Sequence, residues 1–158
     1  MLGNALPLLE QTFRWAREVD PRQPLTAGNW NRTPPFEALN RFQQANSDVT
    51  TFHSYEDAAT VEELIGRFQA HARPVICTEY LARTTGSHFE THLPLFMQAG
   101  VGCINWGLVA GRTQTYYPWG SPPGAPEPAS WYHDIFRPDG TPFDEAEVEL
   151  IRETIREG

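Results

Sequence analysis

Apolar positions along this chain switch between two periods. From Asn4 to Val19 they fall at Leu6, Leu9, Phe13 and Ala16, one face of a helix, and the run stops at the helix-breaking pair Asp20-Pro21. Pro24-Leu-Thr-Ala-Gly28 reads as a short strand leading into Asn29-Trp30-Asn31. Phe36 to Gln44 predicts a short helix behind a double proline, and Asp48-Val-Thr-Thr-Phe-His53 a second strand closed by the polar turn Ser54-Tyr-Glu-Asp57. Val61 to Ala72 returns to helical spacing, with Val61, Leu64, Ile65 and Phe68 on one face. Pro74-Val-Ile-Cys-Thr is almost continuously apolar and β-branched, as expected of a strand covered on both faces. Ser87 to Gln98 predicts a helix with Phe89, Leu93 and Phe96 inward, and Gly100 to Gly107 a fourth strand. A loop then runs to about Trp131 through Pro118, Pro122, Pro123, Pro126 and Pro128, too many prolines for a helix or central strand. Asp144 caps a last helix, with Glu145 and Glu147 in its first turn and Val148, Leu150 and Ile151 inward.

Four strand–helix units in series predict an α/β fold with a parallel sheet. Four units make either a small open sheet or half of an eight-fold barrel. A whole barrel needs about 250 residues, and the chain has 158. Residues 1–158 are read as one domain.

The net charge of −8 changes the picture of partners, because a nucleic-acid surface needs clustered cations. All twelve basic residues are arginines, and nucleic acid is not an expected partner. No apolar stretch approaches the roughly twenty residues of a membrane span, and the first residues lack the basic and apolar regions of a secretory signal. The chain as written therefore reads as soluble and not exported, although an export signal lying upstream leaves its location open. Cys77 and Cys103 fall in strand-like runs without metal-ligand spacing, which suits inert core thiols on adjacent strands and implies no cofactor. His88 and His92 flank Glu90, but the metalloprotease order places Glu directly after the first His, so a solvated helix face is the plainer reading.

Chemistry gathers where the strands end. The first strand delivers Asn29 and Trp30, the second His53 and Tyr55, the third Glu79 and Tyr80, the fourth Asn105 and Trp106. In parallel α/β folds these ends share one face, and ligands bind there. Glu79 cannot sit ionised inside a sheet and must emerge at that rim, as a candidate nucleophile or acid/base. A Tyr or His hydrogen bond keeps such a carboxylate ionised and oriented, and an indole such as Trp106 offers a flat platform for a sugar face. Trp119, in Tyr116-Tyr-Pro-Trp119, extends the cleft to further sugar units. Each element also has a plainer explanation: an ion pair of Glu79 with Arg83, strand capping by His53 and Tyr55, core packing of Trp106, turn chemistry at Asn29-Trp30.

Thr-Glu-Tyr on one strand, His-x-Tyr on the strand before and Asn-Trp on the strand after resemble the second half of a cellulase-type (clan A, family-five-like) retaining glycoside hydrolase. The likeness runs from roughly Leu6 to Glu153, and Trp131-Tyr-His-Asp-Ile-Phe-Arg-Pro-Asp-Gly-Thr-Pro-Phe143 resembles the family's closing segment. It implies strands five to eight of a (β/α)8 TIM barrel, with an oligo- or polysaccharide such as a β-linked glucan, xylan or mannan as substrate. It implies Glu79 as nucleophile, His53 and Tyr55 as its catalytic neighbours, and Trp106 as the strand-eight platform. The family's acid/base glutamate sits in an Asn-Glu-Pro sequence that is not found here, and Glu56 and Glu90 are unpersuasive substitutes. The expectation is a fragment with little activity alone, whose open barrel edges favour self-association. A non-catalytic carbohydrate-binding module is the alternative.

Overall fold

The structure is a computed structural model that describes residues 5–157, with side chains through residue 156. Asn4, at the start of the first predicted helix, lies outside the described residues. The described residues form five α-helices: α1 Ala5–Glu18, α2 Glu37–Asn46, α3 Ala58–Gln69, α4 Phe89–Ala99 and α5 Glu145–Glu157. Three strands, β1 Thr50–His53, β2 Val75–Tyr80 and β3 Gly102–Asn105, form one sheet in sequence order, every pair parallel. The architecture is thus α/β, built from parallel β/α units.

The first of the four expected strands, Pro24 to Gly28, is a correction. The segment runs beside β1 but makes only one parallel bridge, Asn29 to Phe52, where the Asn29 N–H donates to Thr51 O at 2.9 Å. Pro24 has no N–H to give, and beyond one more backbone bond, from the Asp48 N–H to Leu25 O at 2.7 Å, the links run through side chains. Thr26 Oγ1 donates to Val49 O at 2.7 Å and meets Thr51 Oγ1 at 2.8 Å, while the Leu25 N–H donates to the Asp48 carboxylate at 2.8 Å. The position was legible; the regular pairing was not, because side chains replace it.

The core lies between the sheet and α3, α4 and α5. Phe52, Val75, Cys77 and Tyr80 face the helices and meet Val61, Leu64, Ile65 and Phe68 of α3, Phe89, Leu93 and Phe96 of α4, and Val148 of α5. Phe52 packs on Phe68 at 5.1 Å between ring centroids, and Tyr80 edge-on to Phe96 at 5.1 Å. Truncating an aromatic in such a core costs about 3–5 kcal/mol. Helix ends are closed locally. Asp57 accepts the Thr60 N–H at 2.9 Å to open α3, and Asp144 accepts from Ala146 at 2.8 Å to open α5. The Arg73 guanidinium donates to the last carbonyls of α2, among them Ala45 O at 3.1 Å, and so ties that helix to the entry of β2.

His92 overturns the expectation of a solvated helix face. It is completely buried, stacked beside Tyr80 at 6.0 Å, with Nε2 3.0 Å from Glu56 O and Nδ1 3.1 Å from His88 O. Burial pushes its pKa down. The plainer alternative for Glu79, an ion pair with Arg83, is not found among the described residues. Arg83 instead pairs with Glu147 in the first turn of α5, and both side chains are buried.

Candidate functional site

Glu79 owes its position to an irregularity in β2. Side chains alternate along a strand, and Val75 and Cys77 point to the helices. The ladder register then shifts between Cys77 and Tyr80, and a second shift lies between Phe52 and His53 on β1. Bulges of this kind re-aim side chains and are frequent beside active sites. Here Thr78 Oγ1 donates to Phe52 O at 3.0 Å, Tyr80 returns to the helix side, and half-buried Glu79 takes the opposite face, in register with His53.

That face collects the chemistry. The Tyr55 hydroxyl, just beyond β1, donates to Glu79 Oε2 at 2.7 Å. Burial first, and the bond to Glu79 second, push the Tyr55 pKa far up, so the phenol keeps its proton and acts as a donor to the carboxylate rather than as a base. His53 lies 6.3 Å from Tyr55 and stacks on Trp30 at 6.1 Å with 15° between planes. Trp119 stands edge-on to Tyr55 at 5.0 Å. Trp106, 43% exposed, and Trp119, 63% exposed, share the wall of a cavity of about 470 Å³ under the proline-rich loop. Trp30 and His53 border a second cavity of about 370 Å³ toward α2.

Two of the predicted sugar contacts are corrected. Tyr80 is only 2% exposed and lies in the core against Phe89, His92 and Phe96, because the residue after Glu79 must point the other way. Asn105 likewise faces the helices, lining the space between the sheet and α5, and its amide donates to Gly107 O at 2.5 Å. Asn29 reaches the correct edge but is buried, its Oδ1 accepting from Gln44 at 3.3 Å. Trp30, His53, Tyr55 and Glu79 form one run of contacts at the strand ends, Trp119 joins it at Tyr55, and Trp106 shares a cavity wall with Trp119. Glu56 is turned to Arg32 and to Ser54 Oγ, and Glu90 stands exposed in the first turn of α4. Among the described residues neither shares a hydrogen bond with Glu79 or Tyr55.

Sequence reasoning passed over Tyr132, His133 and Asp134 as site residues. His133 packs 5.4 Å from Tyr55 and 5.7 Å from Trp119, and burial pushes its pKa down. The segment fits against β3 only because residue 107 is glycine. A Cβ there would sit 2.7 Å from Asp134 Oδ1 and 3.0 Å from the His133 Cβ, and its φ is +83°. The available signal was the aromatic and histidine run after the proline-rich loop, opposite an isolated glycine that ends a strand.

Cys77 and Cys103 are register partners on β2 and β3, both free; burial pushes the Cys77 thiol up to about 12 and raises Cys103 as well. Thiols held protonated in this way are poor nucleophiles and poor metal ligands. Among the described residues no group of three or more His, Cys, Asp or Glu is arranged to hold a metal ion, and no helix is long and apolar enough to cross a membrane. No family model matches the chain, and no curated protein matches it.

Proposed function

We propose that this chain carries the nucleophile half of a retaining O-glycosyl hydrolase acting on a β-linked oligo- or polysaccharide, with Glu79 as the nucleophile. The observation that carries the reading is the 2.7 Å hydrogen bond from Tyr55 to Glu79 Oε2, made between the carboxyl ends of adjacent parallel strands. In the reaction a Glu79 oxygen attacks the anomeric carbon as the bond to the departing sugar breaks, giving a glycosyl ester. Water then cleaves the ester and regenerates the carboxylate. Tyr55 holds the carboxylate oriented, while Trp106, Trp119 and Trp30 offer aromatic faces to sugar rings.

On this reading the parallel units are strands five to eight of a (β/α)8 barrel, and the face bearing Ile104 and Trp106 is its interior. Both side chains are exposed, as are Leu108 and Val109 beyond β3. An open apolar face flanked by a free strand edge favours association with a further chain or a second copy.

Retaining hydrolysis also needs an acid about 5–5.5 Å from the nucleophile to protonate the leaving oxygen. Natural glycosides are therefore expected to turn over little on this chain. A dinitrophenyl β-glycoside needs no such proton, since its phenolate leaves unaided. Release of dinitrophenolate that Glu79→Gln abolishes, with sugar binding retained, supports the proposal. Release unchanged by that substitution rules out Glu79.

The engagement of Glu56 by Arg32 and Ser54 favours one second reading, a carbohydrate-binding module that cuts no bond. It predicts sugar binding with no phenolate release at all.

A further inference from the structure

The least explained polar atom beside the site is His133 Nε2. The imidazole is 1% exposed. Its Nδ1 bonds the Leu81 carbonyl, which can only accept, so the proton sits on Nδ1 and Nε2 is left with a bare lone pair. Nε2 is buried and has no hydrogen-bond partner among the described residues. Leaving a buried acceptor unpaired costs about 1–3 kcal/mol, and each such atom calls for an explanation.

The surroundings are also built at a cost. Leu81, whose carbonyl fixes the tautomer, is fully buried with φ of +79°, a conformation disfavoured for a bulky residue. Its N–H is held by Ser87 Oγ at 3.1 Å. Strain of this kind persists only where neighbours over-determine it, and it gathers at functional sites. The carbonyl of His133 is clamped as well, by Arg83 Nη1 at 3.0 Å. The ring is thus fixed in place and in tautomer, with one acceptor unused.

We propose that His133 Nε2 is the acceptor for a ligand hydroxyl, in a sugar subsite walled by Trp106 and Trp119. The cavity these three residues line holds about 470 Å³, and its other walls come from the loop at Gln114, Tyr117 and Gly120. The ligand must donate a hydrogen bond to a neutral acceptor while its body lies on aromatic surface. A hydroxyl-bearing pyranose does both. Tyr55, Tyr132 and Trp119 are the rings packed round the imidazole, and Trp119 alone among them is largely exposed. Trp119 is therefore the ring that turns aside to admit the hydroxyl. The inference rests on the carbohydrate reading and extends it: the subsite adjoins Tyr55 on the loop side, away from the cavity at Trp30.

The test uses the full chain labelled with nitrogen-15, with the His133 Nε2 resonance assigned by its disappearance in His133→Gln. Cellotetraose, xylotetraose and mannotetraose are titrated while tryptophan fluorescence is followed in the same samples. The expected result is a fluorescence change from at least one sugar, accompanied by an upfield move of the Nε2 resonance as its lone pair accepts a hydrogen bond. Fluorescence that responds while Nε2 stays still overturns this inference and leaves the carbohydrate reading standing. No response in either signal overturns both. His133→Gln, where it folds, is expected to weaken binding about three- to tenfold, the worth of one neutral hydrogen bond; the measurement on the unaltered chain decides the matter should it not fold.

Discussion

Substituting Glu147 is expected to unlock the segment that carries His133. The Arg83 guanidinium has five N–H donors, and the fold supplies five acceptors. Nε donates to Glu147 Oε1 at 2.8 Å and Nη2 to Oε2 at 2.6 Å. Nη1 donates to Trp131 O at 3.1 Å and His133 O at 3.0 Å, and Nη2 to Asp134 O at 3.2 Å. Both side chains are buried, and the Phe143 ring lies 5.0 Å from the guanidinium carbon. Glu147→Leu leaves that cation buried without its counter-ion, at a cost of about 3–5 kcal/mol. This is a large part of the 5–15 kcal/mol that holds a typical domain together. Arg83→Met strands a carboxylate and three carbonyls and should cost at least as much. The double substitution separates two accounts. Were the ion pair alone at stake, removing both partners would restore most of the loss. Because the three carbonyls of Trp131, His133 and Asp134 stay unpaired, at about 1–3 kcal/mol each when dry, the double variant should remain well below the native chain. Urea unfolding followed by tryptophan fluorescence gives the three values. A Glu147→Leu loss under about 1 kcal/mol, or a double variant as stable as the native chain, would refute the clamp.

Acid should destabilise the fold in a window set by its histidines. Burial pushes His92 and His133 below the ordinary value, so the unfolded chain takes up protons first. Stability present above about pH 6.5 is then lost as the pH falls from there toward the folded values. The exposed Asp48, Asp57 and Asp139, held low chiefly by their hydrogen bonds to Arg17, Thr60 and Thr141, add their loss only below about 3.8. A melting temperature flat between pH 7 and 5 would contradict this. Sedimentation at rising concentration is expected to show self-association through the open face bearing Ile104 and Trp106; a monomer at every concentration would count against it. Tyr55→Phe is expected to slow attack by Glu79 about ten- to a hundredfold, since a hydrogen bond to a charged group contributes about 1.5–3 kcal/mol. Unchanged phenolate release would show that the bond does not matter.

Much of this was readable from the sequence, for reasons that differ by element. The amphipathic helices followed from spacing alone: Val61, Leu64, Ile65 and Phe68 all bury, as do Phe89, Leu93 and Phe96. The strands β1, β2 and β3 followed from apolar runs between turns. The segment before Asn29 did not become a strand, because its pairing passes through threonine hydroxyls that no periodicity reports. Glu79 and Tyr55 could be placed at one rim because parallel topology gathers strand ends. Tyr80 and Asn105 were misplaced because a rim position does not determine which face a side chain takes, and the register shift in β2 decides that here. His133 was missed because it reaches the site from a segment far along the chain, through a contact that only a glycine at position 107 permits.

Trapping the sugar on the carboxylate asks the central question most directly. A β-glycosyl fluoride whose second hydroxyl is replaced by fluorine forms the glycosyl ester without acid assistance, and the ester then breaks down slowly. Mass spectrometry of the digested chain should find the sugar on the peptide holding Glu79, with no label on that peptide in Glu79→Gln. Sugar attached elsewhere, or none under conditions where binding is seen, would contradict the assignment of Glu79.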